Sequence, residues 1–404
     1  MKTRKKSTVL VFATYSLSDP TTRNTINSIS ELYDDIIVVE ENSGTIYNSV
    51  ESKNIRVERT YQFDKFPRFY GLKTFLVWIA YRIKTRRLIS EYKPDLVITF
   101  MLKPLAALAK IDVVNLVSCI YDIPDPKTSG KLDRIINKNG FKKLKLADII
   151  WASDTFKSEL AAKFAGLRQL PLVCHNCPSL ADYNKMSIDS KLWLRQKLRD
   201  AGANISDESG TVLIRAGAIG PYGGIEETLS AMQSMPDDCL FLMMGRPTSE
   251  YRNYLISLIK ESGLGKKAFL WNKPDDNAWK LAIEGADIGH LIHLPPPKED
   301  SIHAGLYKYN SSLSNYRLFS YMASAMPILS YNDLRLDAMH KDVNCFYVVD
   351  VSSLQDDIAK GWKELNENNE LRKLLGAEGK KAFLTKYNWE FQFQGILDKL
   401  RSKP

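Results

Sequence analysis

The stretch TVLIRAGAIGPYGGIEETLSAM, residues 211–232, decides the fold. Thr211–Arg215 is a short apolar run closed by a polar residue, which predicts a strand. Gly217, Gly220, Gly223 and Gly224 follow, and helical spacing then starts at Ile225. A strand, a glycine-rich turn and a helix in that order let backbone amides approach a ligand where the helix dipole favours an anion. Gly217 and Gly224 are therefore candidates for phosphate contact, with Arg215 just before them. The spacing is not G-x-G-x-x-G, and no Lys-Ser/Thr pair follows, so neither glycine-loop signature is met. A plain strand-to-helix turn is the competing reading.

Working outward, the alternation repeats on both sides. Downstream, apolar runs at 240–244, 268–270, 288–291, 328–330 and 346–349 alternate with helical stretches. Upstream, runs at 8–13, 36–39, 55–59, 96–100, 113–120 and 149–152 do the same. Most are rich in Val and Ile without strict alternation, the pattern of parallel strands buried on both faces. Residues 178–210 are polar with one helical stretch and read as a connection. Two successive series predict an α/β chain of two Rossmann-like, doubly wound parallel-sheet domains facing a cleft. Ligands of such sheets bind beyond the carboxyl ends of the strands. A length of 404 residues suffices for two cores.

Strand ends supply further candidates. Gly245 and Arg246 close the second strand of this half, where an arginine can grip phosphate through two parallel hydrogen bonds. Trp271, Asn272 and Lys273 close the third and suit a nucleobase by stacking and edge bonding; core packing of Trp271 competes with that. In 307–330, Ser311, Ser312, Ser314 and Asn315 precede a helix whose buried stripe is Leu318, Phe319, Tyr321 and Met322. Arg317 falls in its first turn, where a cation opposes the dipole unless an anion binds there. His293 and His303 flank a Pro-rich loop and read as structural rather than catalytic.

Hydrophobic residues make up 44% and charged residues 25%, which argues against a disordered chain, a collagen-like fibre or a polytopic membrane protein. Five cysteines and no signal-peptide pattern predict free thiols in a reducing cytoplasm. Cys174-x-x-Cys177 lacks a second ligand pair at zinc spacing, so no metal site is expected. Net charge is +9, and it is unevenly placed: residues 1–180 hold 28 Lys and Arg against 18 Asp and Glu, and the rest hold 28 against 29. Within 65–87, Lys65, Arg68, Lys73, Arg82, Lys84, Arg86 and Arg87 are interleaved with aromatic and aliphatic residues and no acid. The apolar part is far too short to span a bilayer. The segment suits an anionic membrane face; a core helix with a solvated basic side is the other reading. No nucleic-acid module accompanies the charge, so no nucleic-acid partner is expected.

YRLFSYMASAMPIL, residues 316–329, resembles a motif of GT-B glycosyltransferases of the family-four bacterial type. SDPTTRNTINSISEL (18–32), LADIIWASDTFKSEL (146–160), VCHNCPSL (173–180), IRAGAIGPYGGIEETLSAM (214–232), ADIGHLIHL (286–294) and KYNWE (386–390) resemble further motifs of that family, in its order. The resemblance implies an acceptor-binding, membrane-facing domain at 1–177, a connection at 178–209, a nucleotide-sugar domain at 210–387 and a helix at 388–404 crossing back. It implies transfer of a sugar from a nucleotide-sugar donor to a lipid-linked or saccharide acceptor, as in surface polysaccharide or glycolipid assembly. Arg317, Gly217 and Gly224 match donor-phosphate positions, and Asp122 matches an aspartate of the first-domain cleft wall. Three departures stand out. Ser320 and Ser312 occupy positions where the family carries glutamates, and Ala218 and Gly223 stand where it carries Arg and Lys. Arg215, Arg246, Arg317 and Lys273 are the cations left to serve there.

The resemblance implies a retaining course in which the leaving phosphate assists the acceptor, and the absence of an Asp-x-Asp pair predicts metal independence. The nucleotide sugar is a substrate, and no cofactor is expected. Asp122 is the candidate catalytic base for an inverting course. The enzyme is expected in the cytoplasm, peripheral on the inner face of the cell membrane. Alternatives are an inactive GT-B subunit that stabilises a partner and another nucleotide-sugar enzyme such as an epimerase.

Overall fold

The structure is a computed structural model that describes residues 7–13, 19–40, 54–59, 70–123, 130–183, 189–272, 275–295, 316–332, 336–350 and 353–402. It divides into two compact units, Met1–Asn176 with Trp389–Pro404, and Cys177–Lys298 with Leu313–Asn388.

The first unit is built on β1 (Thr8–Ala13), β2 (Asp35–Glu40), β3 (Ile55–Arg59), β4 (Leu96–Phe100), β5 (Leu116–Ile120), β6 (Ile149–Ala152) and β7 (Leu172–Val173). They form one sheet in the order β3-β2-β1-β4-β5-β6-β7. Every pairing in it is parallel. Val9, Val11, Ile98 and Val117 face one layer of core and Leu10, Phe12, Val97 and Leu116 the other. Both faces are covered, which is why these strands read as continuous apolar runs. The final helix packs into this unit: Trp389 stacks on Phe393, and its indole N–H donates to Ser28 Oγ at 2.8 Å.

The second unit repeats the plan with β8 (Thr211–Gly217), β9 (Cys239–Gly245), β10 (Ala268–Asn272), β11 (Ile288–Leu291), β12 (Ile328–Tyr331) and β13 (Phe346–Val349). The order is β10-β9-β8-β11-β12-β13. Strand order reverses between β8 and β11, the switch point where ligands of open parallel sheets sit. Two expectations of detail change. The run at 113–120 becomes a strand only from Leu116, because Val114 is 82% exposed and belongs to the preceding turn. Leu172–Val173 and a short helix at Asp337–Asp342 carry no sequence signal of their own and form through their neighbours.

The basic segment forms α2, Tyr70–Tyr92. Trp78, Tyr81, Thr85 and Leu88 are buried, while Phe75, Leu76, Ile79 and Ile83 are exposed, Ile83 at 64%. Their spacing of three and four residues aligns them on one face. Among the described residues no helix is long and apolar enough to cross a membrane.

A glycine loop with a buried guanidinium beneath it

The candidate site forms at the carboxyl end of β8, from α7 (Ile225–Ala231) and α10 (Tyr316–Ala323). Strand alternation sets the first geometry. Val212, Ile214 and Ala216 point to one core and Leu213 to the other. Arg215 shares the side of Leu213 and reaches under the glycine loop, 3% exposed. Its Nε donates to Ala218 O at 3.3 Å, and its Nη1 to Gly223 O at 2.7 Å and Ile292 O at 2.8 Å.

Nη1 also meets His290 Nδ1 at 3.2 Å. A guanidinium only donates, so Nδ1 accepts and the proton sits on Nε2. Nε2 then donates to Thr228 Oγ1 at 3.0 Å, whose hydroxyl donates to Gly224 O. His290 is wholly buried, and burial, then the charges of Arg215 and Arg317, holds its pKa well below the usual value. It is neutral. Tyr222 O is held from a third side by Leu294 N–H at 2.7 Å and His293 Nδ1 at 3.1 Å.

The loop is thus bonded through its carbonyls and not through its amides. Among the described residues, the N–H groups of Ala218, Ile219, Gly220, Gly223 and Gly224 donate to no protein atom. Above them, Arg317 Nε and Nη1 are shut off from solvent and also lack a partner among the described residues. Arg317 Nε lies 4.0 Å from where a Cβ on Gly217 would stand. Burial lowers the pKa of Arg317, and that of Arg215 falls through burial and the nearby Arg317 charge. Unpartnered amides beside two guanidiniums, with no carboxylate in contact among the described residues, are the donors an anion requires.

Two glycines are obligatory here. Gly217 has φ of +112°, open to glycine alone at low cost. A Cβ on Gly245 would stand 1.9 Å from Gly217 O, so β9 passes too close for any side chain. The split between β8 and β11 is filled by Tyr321, whose hydroxyl donates to Ile214 O at 2.9 Å and accepts from Ala216 N–H at 3.0 Å. β8 pairs with β11 only at Leu213 and Ile214, which leaves those groups to Tyr321.

The structure brings together Arg215, Gly217, Gly224, Gly245 and Arg317, and it places other candidates differently. Arg215 lies under the loop, where its Nε and Nη1 bond the carbonyls of Ala218, Gly223 and Ile292. Ser320 is a correction: it is wholly buried, and its Oγ donates to Tyr316 O at 2.8 Å, so it offers nothing to a sugar. Asn272 is exposed, and its Oδ1 accepts from Arg252 Nη1. Trp271 is half-buried against the core, and Arg246 is exposed. Lys273, Ser312, Ser311, Ser314, Asn315, His303 and Arg68 lie outside the described residues, as does the side chain of Lys73. His290, Thr228 and the hydroxyl of Tyr321 escaped the sequence reading. A histidine inside the apolar run Ile288–Leu291 was the one signal available.

In the first unit Asp122 follows β5, and one of its oxygens accepts from the Lys157 ammonium at 3.2 Å. Lys157 is 3% exposed, near the start of α5 (Thr155–Ala165), whose cap Asp154 accepts from its N–H. Asp19, the cap of α1 (Pro20–Ile29), accepts from Thr22 N–H at 2.9 Å and Tyr121 Oη at 3.2 Å; burial raises its pKa. The Cys174 thiol is buried in the first core and that of Cys177 in the second, and burial pushes the Cys174 pKa up.

No protein-family model and no curated protein matches the chain. Solved structures do. Sucrose-phosphate synthase from Thermosynechococcus elongatus is 14% identical, with a TM-score of 0.71 over 98% of this chain and 98% of that one. HepE from Anabaena, in complex with UDP and glucose, is 16% identical, with a TM-score of 0.68 over 98% and 99%. WaaG, a glycosyltransferase involved in lipopolysaccharide biosynthesis, is 12% identical, with a TM-score of 0.63 over 98% and 100%. The two parallel-sheet units of this chain have the GT-B fold that these proteins share.

Proposed function

We propose that the protein is a glycosyltransferase that binds the diphosphate of a nucleotide-sugar donor at the β8 glycine loop. The observation that carries this is the set of loop amides and the Arg317 nitrogens without a protein partner. The complex of HepE with UDP and glucose and the glycosyltransferase activity of WaaG support the reading. In the reaction the bond from the sugar's anomeric carbon to the phosphate oxygen breaks, and its electron pair stays on the diphosphate. Loop amides and Arg317 stabilise that charge in a dry setting, where preorganised donors act most strongly. The acceptor oxygen bonds to the anomeric carbon and gives up its proton. In the retaining course proposed here the departing phosphate takes that proton. In an inverting course Asp122 takes it. The guanidiniums supply the positive charge, so turnover is expected to survive a chelator.

The proposed acceptor is a lipid-linked or other saccharide in surface polysaccharide or glycolipid assembly, met at the inner face of the membrane. The exposed stripe Phe75, Leu76, Ile79 and Ile83 beside the exposed Arg86 and Arg87 supports an anionic lipid surface. The experiment is a thermal-shift screen with uridine, guanosine, adenosine and cytidine diphosphates, followed by donor hydrolysis. Binding of at least one raises Tm by mass action. If none raises Tm and none binds in calorimetry, the donor-site reading is wrong. Stoichiometric recovery with another protein would then favour an inactive partner-binding subunit.

A further inference from the structure

Arg215 is a cation with no carboxylate in contact among the described residues, although it is as buried as any core side chain. Arg195 in the same unit shows the ordinary solution: it is 1% exposed and meets Asp287 at 3.0 Å. A buried charge left uncompensated is strongly unfavourable. What compensates Arg215 is carbonyl oxygen, and those carbonyls come mostly from the loop above. Because Ala218 O and Gly223 O turn down to the guanidinium, the loop's amides are left for something else. Gly223 fits this arrangement. Its backbone is not in the left-handed region, so its torsions do not call for glycine. A Cβ there would stand 2.8 Å from Arg215 Nη2 and 3.0 Å from Cζ. A side chain at 223 would oblige the guanidinium to shift from its carbonyls, so the two positions are coupled.

We infer that Arg215, braced by His290 and matched to Gly223, is a positioning residue of the phosphate site, holding the loop by its carbonyls so that its amides turn toward a diphosphate. The inference rests on the donor-site reading above and adds how that site is held. Arg215 also lends its charge through the loop, so removing it weakens diphosphate binding by loosening the loop and by removing that charge.

The test uses the full chain with two probes, inorganic pyrophosphate and UDP, by calorimetry, with Tm measured alongside. Arg215→Met is expected to weaken both by about tenfold or more. Gly223→Ala, which must displace the guanidinium, is expected to weaken both as well. The double variant is expected to bind like Arg215→Met alone, since coupled positions are not additive. Arg215→Lys, which keeps the charge and loses the fork, is expected to recover part of the lost pyrophosphate affinity. If Arg215→Met does not fold, Gly223→Ala and His290→Gln carry the same comparison. Wild-type affinity in a folded Arg215→Met, or additive losses in the double variant, overturns the inference alone. Failure of the wild type to bind either probe overturns the donor-site reading, and the inference with it.

Discussion

The two halves of the chain carry their charge in opposite ways. Residues 1–180 hold the surplus, 28 basic against 18 acidic, while the remainder is nearly balanced at 28 against 29. Among the described residues of the surplus half, the less exposed cations include paired ones, Lys157 with Asp122 at 3.2 Å and Lys84 with Glu58 at 3.1 Å; Arg87 pairs with Glu91 at 3.5 Å, while Arg86 is exposed with no ion pair. Arg82 lies over the Trp78 ring with Nε unpaired. In the balanced half, Arg215 and the Nε and Nη1 of Arg317 are shut off from solvent with no carboxylate against them among the described residues. Net charge therefore describes what a surface attracts. A small ligand's site shows instead in charges that the fold has buried and left unanswered.

That contrast can be broken most directly at Arg317. Arg317→Ala is expected to weaken binding of a nucleoside diphosphate by about 10- to 100-fold, the worth of a charge-assisted hydrogen bond. Tm should hold or rise, because an unpaired buried charge is removed. Unchanged affinity in calorimetry would place the site elsewhere. The switch point gives the next effect. Tyr321→Phe leaves Ala216 N–H and Ile214 O without their partner and is expected to cost about 1–3 kcal/mol in urea unfolding.

His290 ties stability to pH. Its folded pKa lies below that of the unfolded chain, with Arg215 and Arg317 as the charges that face it and Thr228 and Phe241 as its uncharged neighbours. The unfolded chain alone takes up this proton below about pH 6.5, so stability falls with pH there by up to about 1.4 kcal/mol per unit. The contribution is complete above that pH. His290→Gln should flatten the profile between pH 7 and 5 relative to wild type, and an equal slope would refute a buried neutral histidine.

The first unit yields smaller effects. Replacing Ile79 and Ile83 with Ser should weaken partitioning to anionic vesicles by about 1–2 kcal/mol in a sedimentation assay. Equal partitioning would remove α2 as the docking face. Lys84→Gln and Arg87→Gln should change stability by less than about 1 kcal/mol, since half-exposed ion pairs contribute little. They should also reduce vesicle binding less than Arg86→Gln does, because Glu58 and Glu91 already answer them.

The α/β class was open to sequence reading because parallel strands buried on both faces must be apolar throughout, as β8 and β9 are. Asp154 caps α5 for a local reason too: a cap acts on amides a few residues away. Ser320 was not legible, since a serine at that point reads the same whether it faces a sugar or the carbonyl of Tyr316. Nor did the sequence show that Asn272 Oδ1 accepts from Arg252 Nη1, because Arg252 stands twenty residues earlier in the chain.

By itself, the sequence determined two α/β series, their parallel strands and a glycine-rich turn after Thr211–Arg215, because periodicity and turn chemistry act over a few residues. Tertiary structure alone decided which way Arg215 points, which tautomer His290 holds and which donors go without a partner. Those depend on atoms that β11 and α10 bring up from some 75 to 105 residues away, and such partnerships leave no spacing in the chain to be read.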